Sequence, residues 1–249
     1  MRLARKTALG QVYNSQIMTV KQFHLLAVLT GILFLAHIAN ILIGKPSWSV
    51  SQFLELASDN SAPAWLSSII LAAAALTAYR SFELAGNHRM ASSQILLYSA
   101  ILLLIMSCDE VAQVHEKLVE PGAFLARTLG ISVSETMPNT WLLIGAPVII
   151  TVFTVFALSL RKILRYAPGT LRLFVLGTVL IVVGGIIVES TGRWIAANQL
   201  WTLWTIEVLL EEGLESAGSL LLGYCFAYWN EEAPKSIQVS LELTSDSSP

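Results

Sequence analysis

The stretch "TIEVLLEEGLESAGSLLLGYC", Thr205 to Cys225, carries Glu207, Glu211, Glu212 and Glu215 within nine positions of an otherwise apolar segment. Near mid-bilayer an acidic side chain opposes insertion by about 2.5–3.5 kcal/mol, whereas a Leu or Ile favours it by only about 0.3–0.6 kcal/mol. Four glutamates therefore oppose insertion by roughly 10 kcal/mol, and they must face protein or water. Carboxyl groups crowded in a low dielectric do one of two kinds of chemistry. They hold and pass protons as general acids and bases, or they bind a cation. No Lys or Arg lies at their level, so protons or a metal ion must balance them.

Other chemically capable residues sit at a similar depth in other apolar segments. Counted inward at 1.5 Å per residue, His37 lies roughly 9 Å from its helix end, and Asp109 and Glu110 roughly 11 Å. Glu189 lies roughly 9 Å and Glu207 roughly 10 Å from theirs. At 100° per residue the four glutamates cover an arc of about 140°, continued by Gly218 and Ser219. In "SCDEVAQVHE", Asp109, Glu110, Gln113 and Glu116 share about 120°, and a continuous helix lets His115 join Asp109 and Glu116 but hardly Glu110. Di-iron and di-manganese bundles use about four carboxylates and two histidines from facing helices. On that inventory the expected metal ligands are His37, Asp109, His115, Glu116, Glu211, Glu212 and Glu215, and the expected cofactor is divalent Fe, Mn or Zn. The Glu-x-x-His motif of the soluble bundles is missing. Glu110, Glu189 and Glu207 are then the candidates for general acid or base.

Simpler roles compete for several of these residues. His37, in "LFLAHIANIL", taken alone reads as a core histidine bonded to a neighbour. Glu116 and Glu120 suit a solvated helix end, with Lys117 pairing to one of them and Arg193 pairing to Glu189. Ser67, Ser68, Ser107, Ser190 and Thr191 are expected to bond back within their own helices. Only two histidines lie near this level, so no Ser–His–Asp triad is assembled from sequence. Gly177, Gly184 and Gly185 read as a close helix-packing surface, and Cys108 and Cys225 as buried thiols.

These residues are positioned by a chain of 249 residues that is 55% hydrophobic and only 13% charged. A soluble domain carries about a quarter charged residues, so the class is a polytopic membrane protein, and the absence of a basic tract excludes nucleic-acid binding. The fold expected is an all-α transmembrane bundle of six helices, near 22–43, 64–85, 94–117, 140–162, 171–195 and 200–228. Residues 1–21 form an N-terminal arm, 22–229 the transmembrane domain, and 230–249 a flexible polar tail. Arg2, Arg5, Lys6, Lys21, Arg80, Arg89, Arg161, Lys162, Arg165, Arg172 and Lys235 fall on one side; Lys45, Lys117, Arg127 and Arg193 fall on the other. That bias of eleven to four puts both termini in the cytoplasm and the acidic level toward the outside. The connection before Pro63 is expected to hold an interfacial turn at 50–56, and "EPGAFLARTLGISVSETMPNT" to lie along the outer surface.

The combination of "SDNSAPAWLSS", "SCDEVAQVHE" and "LLEEGLE" resembles a group of uncharacterised bacterial polytopic membrane proteins. The resemblance runs from about Leu54 to Gly223 and implies a location in the bacterial plasma membrane. It groups Asp59, Asn60, Pro63 and Trp65 with the carboxylates and His115, so Asp59, Asn60, Trp65 and Arg193 are candidates for substrate or interface contacts. It implies no activity. The functional expectation is a metal-dependent membrane enzyme acting on a lipidic substrate. The alternatives are a proton- or cation-linked transporter and an assembly subunit of a membrane complex, whose protein partners the sequence does not identify.

Overall fold

The computed structural model describes residues 18–245 apart from 59, 89, 91–92, 132 and 134–138, with side chains described as far as Ile237. Nine α-helices follow one another among the described residues: α1 Val20–Leu42, α2 Trp48–Leu54, α3 Ala62–Asn87, α4 Gln94–Ala112, α5 Val119–Thr128, α6 Leu142–Leu164, α7 Thr170–Val182, α8 Glu189–Ala197 and α9 Trp201–Ser245. A wide π-turn, Val183–Val188, joins α7 to α8 without a break, and no strand is present among the described residues. Five helices are long and apolar enough to cross a membrane: α1, α3, α4, α6 and the continuous α7–α8 unit, Thr170–Ala197. The described residues are thus all-helical, with several helices of the length and apolarity of a membrane protein. α9 is not among the five, yet it is the hub of the bundle, packing on α1, α3, α7, the π-turn and α8.

Local chemistry sets the helix boundaries. At the start of α1, Gln22 Oε1 accepts from Thr19 N at 2.7 Å, and Glu231 Oε1 of α9 accepts from Val20 N at 3.3 Å. Both satisfy amides that a helix N-terminus leaves without partners. Ser61 Oγ does the same for Ala64 N at 3.3 Å, and Pro63 occupies the first turn of α3, where its missing N–H costs nothing.

Two boundaries differ from expectation. The third span ends at Ala112 rather than 117, because Gln113 takes a left-handed conformation (φ 51, ψ 43) and donates its amide to Asp109 O at 2.8 Å. Lys117 Nζ donates to Ala112 O at 3.0 Å, so it satisfies the end of α4 instead of pairing with Glu116 or Glu120. At the other extreme, α9 continues as helix to Ser245, through the polar stretch that begins at 230.

Packing is uneven along the bundle. Phe23, Leu71, Leu96, Leu160, Leu164, Phe174, Leu222, Phe226 and Trp229 form a closed apolar core at the end where the basic residues gather. Small residues bring α7 and α9 together above it: a Cβ on Gly177 would stand 2.8 Å from Gly218 O, and one on Gly218 would stand 2.6 Å from Gly177 O. α3 meets α4 through hydroxyls. Ser68 Oγ donates to Ser107 O and Ser107 Oγ to Ser68 O, each at 2.8 Å, and Ser67 Oγ lies 3.2 Å from Ser216 Oγ of α9. These serines bond across helices, where back-bonding was the expectation; Ser190 and Thr191 do bond back, to Ile187 O and Val188 O. Cys225 is buried, as expected, and donates to Thr170 O at 3.2 Å, whereas Cys108 is exposed on α4, contrary to expectation.

The acidic end is covered by short helices. α2 forms where an interfacial turn is expected, and α5 lies along the start of α6. There a Cβ on Gly122 would collide with the Thr140 carbonyl, while Thr140 Oγ1 donates to Val119 O at 2.7 Å. No larger residue fits at Gly122 without moving α5.

Candidate acid–base site

Four elements deliver polar side chains to the acidic end: the end of α4, the residues opening α6, the start of α8 and the first third of α9. The left-handed turn at Gln113 folds the chain back over α4. His115 N therefore donates to Asp109 Oδ1 at 2.9 Å and its Nδ1 lies 2.7 Å from Asp109 Oδ2. A carboxylate only accepts, so the imidazole donates from Nδ1, and in its neutral form it keeps its Nε2 lone pair for another partner. About a third of each side chain is accessible: 35% for His115 and 30% for Asp109. Burial alone would lower the His115 imidazole. The bond and charge of Asp109, reinforced by Glu189 and Glu116, outweigh it and hold the ring above its ordinary 6.5.

The His115 ring packs against Trp141 with centroids 5.2 Å apart. Trp141 in turn donates Nε1–H to Glu189 Oε1 at 2.8 Å, and Asn139 Nδ2 donates to the same oxygen at 3.0 Å. Glu189 is thereby fixed by two neutral donors. Arg193, the expected partner of Glu189, is exposed and takes no part in these bonds.

On α9 the glutamates are seated by glycines of the facing helix. A Cβ on Gly192 would stand 2.6 Å from Glu207 Oε1, one on Gly184 would stand 2.8 Å from Glu215 Cγ, and one on Gly185 would collide with Glu215 Oε1. Glu207 and Glu211 lie one turn apart on α9 and interact with each other; a proton shared between them would let one donate to the other, because an ionised carboxylate only accepts. Glu211 lies within electrostatic range of Glu189 and Glu212, and Glu215 within range of Glu110, Glu189 and Glu212. Glu110, Glu189, Glu207, Glu211, Glu212 and Glu215 therefore form one acidic neighbourhood, linked to Asp109 and Glu116 through His115.

The expected metal-ligand set is not assembled. His37, 2% exposed, has its Nδ1 2.9 Å from Leu54 O and its Nε2 4.0 Å from Glu55, so it ties α1 to the end of α2. Glu116 opens a short 3₁₀ turn and is exposed, not in line with Asp109 on one helix face. Among the described residues no three His, Cys, Asp or Glu side chains form a group that could hold a metal ion.

Trp65 and Asn60 are exposed at the start of α3, and Asp59 lies outside the described residues. Sequence reasoning passes over Asn139 and Trp141, which hold Glu189, and over Gly192, which makes room for Glu207. The signal was present in "PNTW": an amide and an indole at the mouth of an apolar span, each able to donate to a carboxylate.

No curated protein and no solved structure matches the chain. A family model described as Domain of unknown function (DUF8692) matches residues 25–229, which hold every described residue of the site, and the chain belongs to this family.

Proposed function

We propose that this protein is a membrane enzyme that performs acid–base chemistry on an amphipathic, lipidic substrate reached from the extracytoplasmic side. The observation that carries the reading is the Asp109–His115 pair, with its 2.7 Å bond at Nδ1, beside a bank of carboxyl groups. In this reading Asp109 orients His115, and Nε2 accepts a proton from the attacking group. The Glu207–Glu211 pair is the proton store in this reading, and either partner, when protonated, supplies the proton to the leaving group. Glu189, Asn139 and Trp141 position the imidazole and the substrate's polar group. α9 completes the bundle as a sixth span, and the eleven-to-four bias of basic residues supports both termini in the cytoplasm of a bacterial plasma membrane.

A transporter needs a route to both faces. Below Ser216 and Ser219 the polar face of α9 gives way to Leu222, Phe226 and Trp229, all in the closed core. That packing favours a site open on one side. The test is turnover in vesicles of bacterial total lipid extract containing the purified protein, followed by mass spectrometry of the lipids. Loss of one lipid species with the wild type, absent with His115→Gln and with Asp109→Asn, is the expected result. Turnover that survives both substitutions would remove the pair from the chemistry.

A further inference from the structure

At the basic end of the bundle, lined by no residue of the acidic site, a cleft of about 460 Å³ opens between the turn before α7 and the face of α9. Gly169, with φ 91, makes the sharp turn that begins α7 and forms its upper rim with Pro168. Arg172 lines the cleft and is exposed, and among the described residues no carboxylate pairs with it. The opposite wall is Tyr224 and Tyr228, one turn apart on α9, with rings stacked at 6.4 Å and 14°. His24 of α1 meets Tyr224 edge-on at 5.4 Å and braces the stack from behind. The carboxylates next along α9 are engaged elsewhere: Glu231 accepts from Val20 N, and Glu232 pairs with Lys235 at 2.8 Å. The cleft therefore offers a guanidinium and two phenol hydroxyls to an anion, with no acidic side chain lining it.

The floor gives the occupant its second property. Leu173 and Leu176 line the cleft and lie on the membrane-crossing unit Thr170–Ala197, with Leu176 half exposed. A ligand filling the cleft has a negative head near Arg172 and an apolar portion running down α7. Arg161, Lys162 and Arg165 stand just before the turn and add positive potential at the same membrane surface. Basic pockets between transmembrane helices suit phosphate headgroups, and each Lys or Arg near an anionic surface adds to the attraction. We propose that this cleft binds the headgroup of an anionic phospholipid of the adjacent leaflet, with Arg172 on the phosphate and the two tyrosines flanking it.

The test uses the full chain, delipidated in uncharged detergent and mixed with equimolar phosphatidylglycerol and phosphatidylcholine. Native mass spectrometry then counts the lipids retained. The wild type is expected to keep phosphatidylglycerol over phosphatidylcholine by about tenfold, the factor one charge-assisted contact supplies. Arg172→Gln should abolish that preference, and Arg161→Gln, outside the cleft, should retain most of it. Tyr224→Phe with Tyr228→Phe keeps the stack but removes both hydroxyls, and should weaken retention in the same direction. That double variant carries the test should Arg172→Gln fail to fold. Equal retention of the two lipids by the wild type would overturn the proposal. Equal losses in Arg161→Gln and Arg172→Gln would overturn it as well, by showing attraction to diffuse charge. Displacement of the lipid by millimolar inorganic phosphate would show that phosphate alone is the ligand, and would also refute it.

Discussion

Gly122 offers a test of whether the surface helix α5 holds the acidic site in place. A Cβ at this position would overlap the carbonyl of Thr140, a backbone atom that cannot swing aside as a side-chain tip would. Gly122→Ala must therefore lift α5 away from the residues that open α6. Overpacking of this kind costs about 1–3 kcal/mol, and the Thr140–Val119 hydrogen bond that stretches with it contributes about 1 kcal/mol. Against this, Ala favours a helix over Gly by about 1 kcal/mol. The net expectation is destabilisation of roughly 1–3 kcal/mol, which lowers the Tm of a chain this size by about 2–4 °C per kcal/mol. Gly31 is the control. Nothing lies within 4 Å of a Cβ there, so Gly31→Ala keeps only the propensity gain and should raise Tm. The assay is thermal unfolding of detergent-solubilised protein, with hydrogen exchange followed over residues 113–145. Exchange should rise there in Gly122→Ala, since Asn139 and Trp141 leave Glu189 when Thr140 moves. If the two alanine variants unfold at the same temperature and exchange alike, α5 is not clamped to α6 and the site does not depend on it.

Further expectations follow from the same geometry. Because the His115 imidazole is held above its ordinary value, its contribution to stability is present below about pH 6.5 and lost as pH rises through the folded value. Unfolding measured at about pH 6 and about pH 9 should thus separate wild type from His115→Gln more at the lower pH; a constant separation would refute the coupling to Asp109. Trp141→Phe keeps the ring against His115 but removes the donor to Glu189, and should cost about 1–3 kcal/mol in the same assay. A negligible cost would mean that Glu189 does not rely on the indole. The reciprocal Ser68–Ser107 bonds should give a coupling of about 0.6 kcal/mol in a double-alanine cycle, and strict additivity would show the hydroxyls acting independently. A reporter fused after Pro249 should read as cytoplasmic; an external signal would mean that the chain does not cross an even number of times with its N-terminus inside.

The helical class and the membrane character are legible because long apolar runs admit few other structures. The grouping of Glu110, Glu189 and the α9 glutamates at one end follows from depth alone, since each lies at a similar distance from its own helix end. The partners of these groups are less legible. "EVAQVHE" continues a helical pattern with no Gly, Pro or Asn, and Gln113 is a poor signal for a left-handed stop. A helical projection brings His115 beside Asp109 only loosely, whereas the fold makes the contact by reversing the chain, and the same reversal removes Glu116 from the face it was expected to share. His37 illustrates a second limit. Its level matches the carboxylates, but its ring bonds to Leu54 O across a connection whose path no periodicity encodes.

The wide turn Val183–Val188 has a consequence for the register of the helix that contains it. On an unbroken α-helix, Glu189 would point about 120° away from Gly177, the residue that faces α9. A π-turn absorbs one additional residue, which turns everything after it back by about 100° and leaves Glu189 within about 20° of the Gly177 face. Gly192, which makes room for the Glu207 carboxyl, stays within about 40° of the same face. The apolar side chains of "VGGIIV" can therefore change identity with little effect on where Glu189 points, so long as Gly184 and Gly185 stay small. Winding and length are tied together. Regular winding at constant length would turn Glu189 about 120° from the Gly177 face, whereas loss of one residue together with the wide turn would leave it within about 20°, because the two changes cancel. What positions this carboxylate is the wide turn and the residue it absorbs taken as a pair, so the segment tolerates losing both and not either one alone.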